Sequence, residues 1–261
     1  MTTLIRMELL KLRTTRLSYG LLLTAAGLTL AFALLEATRA GTRGVAPLST
    51  AAGLTAVITG STLALLLAIV LGVTVSSGEF RHGTAIATYL AVPQRSRVLA
   101  AKCAAASCAG AIFGFAGWFI ATGVAFGFVA SDGYAEPIGA ATMARYAAGH
   151  VLAGALLAAI GVGLGSLIRS QLAAVLGVFV WAIVIESVVG GLYNAVQPYL
   201  PYTAATTLAG STLGGAAFGP AHGAVSSSSP LPFAASAALL AAVCAVVAAT
   251  AARTTVGRDV S

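Results

Sequence analysis

Charge is what this sequence has least of. Lys, Arg, Asp and Glu make up 8% of its 261 residues, where a soluble globular domain carries about 25%. Fourteen cations and seven anions are too few to solubilise such a chain, which excludes a soluble enzyme and a disordered tail alike. Cysteine is scarce as well. Cys103, Cys108 and Cys244 are odd in number, lie in apolar stretches and match no metal-ligand spacing, so they read as small buried hydrophobes rather than a disulfide scaffold or a metal site. There are two lysines, Lys11 and Lys102, and neither follows a Gly-rich phosphate cradle. The run Gly161-Val162-Gly163-Leu164-Gly165 lacks both the preceding strand and the spacing of a dinucleotide fingerprint. No polar stretch is long enough to make a separate soluble domain, so residues 1–261 read as a single transmembrane unit.

What the sequence does have is uncharged length. The runs Leu17 to Leu35, Gly44 to Gly78, Cys103 to Ser131, Tyr146 to Ile168 and Ser187 to Ala252 contain no Asp, Glu, Lys or Arg. Each reaches or exceeds the roughly 18–20 residues that cross a bilayer as a helix. The pattern predicts an all-α integral membrane protein with six spans at about 17–36, 52–75, 99–130, 144–168, 172–194 and 232–252. The third is long enough to project into the cytoplasm or to break near its glycines. The first exceeds the apolar core of a signal peptide, about 7–15 residues, and no Ala-x-Ala site follows it, so it reads as a retained span.

The net charge of +7 fits membrane topology better than nucleic acid, and no nucleic-acid partner is expected. With the N-terminus inside, eleven cations are cytoplasmic: Arg6, Lys11, Arg13, Arg16, Arg81, Arg95, Arg97, Lys102, Arg169, Arg253 and Arg258. Three, Arg39, Arg43 and Arg145, are outside. An even number of spans also returns the basic C-terminus to the cytoplasm. Residues 1–16 mix Leu and Ile with Arg and Lys, which suits an interfacial helix whose apolar side holds Leu4, Ile5, Leu9 and Leu12; a frayed tail is the plainer alternative. The uncharged segment from about 195 to 231 contains Pro198, Pro201, Pro220, Pro230 and Pro232. It reads as a re-entrant or membrane-resting element on the outer side, which must pack on protein or face water, or else as a flexible loop. Glycines four apart occur at Gly110/Gly114, Gly123/Gly127 and Gly161/Gly165. The spacing permits close helix approach, but in so Ala- and Gly-rich a chain it is expected by chance and carries no functional assignment.

One segment does not read as lipid packing. Between spans two and three, Gly83 punctuates the chain and Thr84 can cap a new helix, while Pro93 disfavours helix at Val92. The piece from Ala85 to about Ala91 is under two turns long, too short to be stable alone, so it needs a surface. Ile86, Tyr89 and Leu90 form an apolar stripe, flanked by Arg81, Arg95 and Arg97. From these residues alone the surface is either a groove in a cytoplasmic partner or the anionic inner leaflet.

The run Glu79-Phe80-Arg81-His82-Gly83-Thr84, followed by Leu90, Pro93, Arg95, Arg97 and Lys102, resembles the signature of ABC-2-type transporter permeases. In that family the pattern is roughly E-[FY]-R-x-G-T, a Leu-rich turn, a Pro, R-x-R and a Lys entering the third span. Glu8-Leu9-Leu10-Lys11-Leu12-Arg13 is similar to the family's elbow segment, and Pro198-Tyr199-Leu200-Pro201 to its segment after span five. The Ala- and Gly-rich composition is similar to that of actinobacterial members. The resemblance implies the membrane subunit of an ATP-driven exporter in a bacterial cytoplasmic membrane. Two permease subunits, identical or not, would form the pathway, and two cytoplasmic ATPase subunits would hold the ATP and Mg, leaving no cofactor on this chain. It also implies that the short helix between spans two and three is a coupling helix seated in the ATPase, with Glu79, Phe80, Arg81, His82, Gly83, Thr84, Ile86, Tyr89, Leu90, Pro93, Arg95, Arg97 and Lys102 forming the coupling region.

Among the intramembrane polar residues Glu186 is the sharpest, in the outer half of span five. An acid there costs about 2–3 kcal/mol or more. It reads either as a group lining a pathway, or a proton carrier, or as an interface carboxylate bonded to water or a neighbouring helix. The first option underlies an alternative function, an ion-gradient-driven secondary transporter, weakened by the lack of paired broken helices. A remoter alternative is an intramembrane hydrolase using Ser211 and His222, for which no positioned base is evident. His150 reads as a structural histidine, and Trp118 and Trp181 as packing or interface anchors.

Overall fold

The computed structural model describes residues 1–42, 45–81, 94–132, 138–168, 170–211 and 230–256. Every regular element among them is helical. In chain order they are α1 (Thr2–Thr14), α2 (Arg16–Arg39), α3 (Ala51–Thr59), α4 (Thr62–Arg81), α5 (Arg95–Asp132), α6 (Ala140–Leu167) and α7 (Gln171–Phe179). A π-helical stretch at Val180–Ile185 leads into α8 (Glu186–Leu192). A 3-10 turn at Gln197–Tyr199, α9 (Pro201–Leu208) and α10 (Phe233–Val256) complete the set.

Six of these helical stretches are long and apolar enough to span a bilayer: Arg16–Arg39, Ala51–Glu79, Ser96–Ser131, Ala140–Leu167, Gln171–Leu192 and Phe233–Thr254. They fall within a few residues of the six expected spans. The third does not break at its glycines. At 38 residues and 1.5 Å per residue, α5 is about 57 Å long, nearly twice a hydrocarbon core. The second span is the one that breaks. Thr50 caps α3 by accepting from the Gly53 N–H at 3.2 Å. The helix then stops at Gly60, and α4 resumes at Thr62.

The second span is buried along most of its length, whereas the first, fifth and sixth are largely uncovered within one chain. With no hydrophobic drive between helices in lipid, close packing needs small residues at the crossings. Here α6 is the hub. A Cβ on Gly110 of α5 would meet the Gly154 carbonyl, and one on Gly154 would meet that of Gly110. Gly114 lies against the carbonyl of His150. On another side of α6, Gly161 and Gly165 abut the carbonyls of Ile69 and Val73 of α4, while Gly72 abuts that of Ala158. Two of the three sequence pairs are thus helix crossings, and the chance reading undervalued them. The third pair, Gly123/Gly127, has open space around both residues.

α9 packs on α6 and α10, and most of its residues are buried. Pro201 at its first position supplies a preset φ where no N–H partner is needed. Gly210, with φ +96°, ends it, with the Ser211 N–H returning to the Thr206 carbonyl at 2.9 Å. A Cβ on Gly210 would also collide with the Tyr146 ring.

Candidate functional site

α1 turns Leu4, Ile5, Glu8 and Leu12 toward the protein and leaves Met7, Leu9 and Leu10 exposed. The apolar stripe expected from the sequence therefore packs largely on protein, without Leu9. The exception on that face is Glu8, a buried acid.

Its partners come from two other elements. Glu79 lies near the end of α4, and Lys102 two turns into α5, where the ammonium is buried. Glu8 divides its oxygens: Oε1 accepts from Lys11 Nζ at 2.6 Å and Oε2 from Lys102 Nζ at 3.4 Å. Glu79 Oε1 receives both lysines as well, Lys11 at 3.0 Å and Lys102 at 2.5 Å. Two acids and two bases thus alternate around a closed ring with no net charge. An isolated ammonium placed where Lys102 lies would be strongly disfavoured, and two carboxylates make the burial tolerable. Lys11 closes the ring on its wetter side, its side chain 47% exposed. Partial burial pulls its pKa down, but hydrogen bonds to Glu8 and Glu79 outweigh that and hold it above the ordinary 10.5.

Of the residues expected to couple to a partner, the structure brings together Glu79 and Lys102. Arg97 lies on the first turn of α5, exposed. Phe80 and Arg81 fall in the last turn of α4 and Arg95 opens α5, with only their backbone described. His82, Gly83, Thr84, Ile86, Tyr89, Leu90 and Pro93, and with them the expected short helix, lie outside the described residues. Reading the sequence for that loop missed the roles of Glu8 and Lys11. The available signal was a scarcity argument: a chain with seven acids must find partners for a lysine inside an apolar span.

A second polar cluster sits in the second half of the fifth span. Glu186 is buried, and four donors converge on it. Trp181 Nε1 and the Tyr202 N–H reach Oε1 at 2.9 and 2.8 Å. The Thr203 N–H and hydroxyl reach Oε2 at 2.8 and 2.9 Å. Tyr202 and Thr203 are in the first turn of α9, so the carboxylate satisfies two of that helix's orphan N–H groups and meets the positive end of its dipole. The π-helical stretch makes the indole contact possible. Its bonds run from residue i to i+5, as between the Trp181 carbonyl and the Glu186 N–H, which stacks Trp181 beneath Glu186. The sequence reading saw the acid but not its place at the start of α9, because two of its four donors are backbone groups sixteen and seventeen residues away.

Nearby, the break in the second span is filled by polar side chains. The Tyr202 hydroxyl donates to the Thr62 carbonyl at 2.9 Å. His150, fully buried, meets the Tyr146 carbonyl through Nδ1 at 2.8 Å and Ser61 Oγ through Nε2 at 2.6 Å. A carbonyl only accepts, so Nδ1 carries the proton and Nε2 accepts from the serine. The histidine is satisfied on both nitrogens. Ser211, the nucleophile of the hydrolase alternative, is buried at the end of α9, and His222 lies outside the described residues.

Comparison with known proteins supplies an independent line. No curated protein matches the chain. A family model described as ABC-2 family transporter protein matches residues 4–186, more than two thirds of the chain. The matched region runs from α1 through the first residue of α8. It therefore includes Glu8, Lys11, Glu79 and Lys102 as well as Glu186, and stops short of α9 and α10. Six apolar helices make this a multi-pass membrane protein, and on the match over residues 4–186 the chain belongs to the ABC-2 family of transporter proteins.

Proposed function

We propose that this chain is the permease half of an ATP-driven exporter, moved by a separate cytoplasmic ATPase that docks on the segment joining α4 to α5. The observation that carries the reading is the Glu79–Lys102 pair. It clasps the two helix ends from which that segment emerges, so a push on the segment acts on α4 and α5 as one body. The end bearing the ring is the cytoplasmic one, on the count of eleven cations against three. Ile86, Tyr89 and Leu90 form the apolar ridge that enters the ATPase, with Arg81, Arg95 and Arg97 around it. Two copies of the permease, with two of the ATPase, form the working complex in a bacterial cytoplasmic membrane. ATP and Mg belong to the partner. ATP-driven closure of the ATPases displaces the docked segments, and the rigid spans re-pack between inward and outward access. Export is the direction expected for the family.

The uncharged segment after α8 re-enters the outer leaflet. Packing of α9 on α6 and α10 favours this over a loose loop. The rival reading, an ion-gradient transporter with Glu186 as carrier, needs a carboxylate that exchanges partners. Four donors, two of them backbone amides fixed in α9, favour an anchor instead.

The test is affinity purification of the tagged chain in mild detergent together with its candidate ATPase. The wild-type chain is expected to retain the ATPase. Tyr89→Asp and Leu90→Asp are expected to release it while the spans stay folded, as judged by a monodisperse size-exclusion profile. Full retention by both variants refutes the docking assignment. Transport in vesicles lacking ATP favours the gradient-driven reading.

A further inference from the structure

α1 and α2 are consecutive in sequence but not continuous as helix. Thr15 separates them in an extended conformation, with φ −84° and ψ 119°. A single extended residue between two helices is a joint, because it leaves their axes free of a shared hydrogen-bond ladder. Non-covalent contacts do not fuse them either: α1 packs chiefly on α5 and little on α2. The orientation of α1 is set from elsewhere, and its long-range ion pairs all go to Glu79 and Lys102 among the described residues.

Within that ring the two α1 residues are not equivalent. Lys11 is half in solvent and bonds to two carboxylates, Glu8 on its own helix and Glu79 at the end of α4. Glu8 is buried, and it alone on α1 reaches the buried Lys102. We propose that Glu8 is a positioning residue that makes α1 a second lever: through Lys102 it locks α1 to the start of α5, which Glu79 in turn ties to the end of α4, so their displacement swings α1 about Thr15 and is delivered to α2. This rests on the reading above that an ATPase moves the α4–α5 segment. It goes further by adding a route to the first span, which that segment does not adjoin in sequence. The first span is largely uncovered within the chain, so a force applied there moves a surface rather than the packed interior.

The experiment uses the permease–ATPase complex. The three native cysteines are replaced and spin labels are placed at Met7 on α1 and Leu23 on α2, both exposed. Labelled chain is diluted with unlabelled chain so that distances are read within one copy. The Met7–Leu23 distance is measured without nucleotide and after trapping with Mg-ATP and vanadate. In the otherwise wild-type chain the distance is expected to shift between the two states. Glu8→Gln, which removes the charge at nearly constant size and leaves α1 held only through Lys11 and Glu79, is expected to remove most of the shift while the ATPase still co-purifies and still hydrolyses ATP. Glu8→Asp keeps the charge but is too short to hold both lysines, and it should lose most of the shift. It serves as the second variant should Glu8→Gln prove poorly folded. A shift unchanged in Glu8→Gln or Glu8→Asp overturns the proposal, as does a trapped wild-type complex with no shift. Failure of the wild-type chain to hold the ATPase sinks the transporter reading itself, a different outcome from either of these.

Discussion

Replacing Glu186 with alanine removes the acceptor for four donors at once, and the structure says which of them are stranded. The Thr203 hydroxyl can rotate to another acceptor, and the partly exposed Trp181 side chain is free to change rotamer. The Tyr202 and Thr203 N–H groups cannot, because they are fixed in the first turn of α9 and buried. An unsatisfied buried donor costs about 1–3 kcal/mol, so two cost about 2–6 kcal/mol. Removing a buried charge returns part of this, and a net loss of about 2–4 kcal/mol is expected for Glu186→Ala. Glu186→Gln keeps one carbonyl oxygen but turns an NH2 group on a donor, so its loss should be intermediate. Two assays read the effect: thermal inactivation of the monodisperse peak in detergent, and chymotrypsin cleavage around Tyr199 and Tyr202 under native conditions. Cleavage should accelerate first, because the capped turn is released locally. If Glu186→Ala matches wild type in both assays, the anchoring argument is wrong, and the carboxylate becomes available for a role in transport.

Two other outcomes follow from the packing and the charge ring. Gly110→Leu or Gly154→Leu drives a side chain into the facing backbone and should cost more than the roughly 1–3 kcal/mol of ordinary overpacking, visible as aggregation on size exclusion; Gly123→Ala and Gly127→Ala, with open space around them, should stay within about 0.5 kcal/mol of wild type. Lys102→Met leaves buried Glu8 facing one lysine fewer and should lose about 3–5 kcal/mol, whereas Lys11→Met, at the wetter side of the ring, should lose about 1 kcal/mol or less; equal losses in a thermal assay would contradict the ring geometry.

The six spans were legible because hydrophobic length is a local property, and ends such as Leu167, two residues before Arg169, follow from where charge returns. The interruption at Gly60–Ser61 was not, since no proline marks it and the polar groups that fill it come from α6 and α9. The glycine pairs make the same point. Gly110/Gly114 and Gly123/Gly127 have identical spacing on one helix, yet only the first pair faces α6. Spacing defines a face and says nothing of what stands opposite. At the candidate site, Glu79 and Lys102 were readable as part of a loop signature. Their closure through Glu8 depends on a contact across 94 positions of chain, which no window of sequence contains.

The π-helical stretch before Glu186 adds a constraint of a different kind. In an ordinary α-helix five residues advance the side chain to about 140° away from its starting direction. Trp181 and Glu186 would then point to different sides, and the indole would leave the carboxylate. Their meeting depends on an arithmetic of residues rather than on their character. Leu for Val is readily absorbed on the uncovered flank of this span, but a single deletion between 181 and 186 is not, however apolar the remainder. The fifth span is thus tolerant of spelling and intolerant of length.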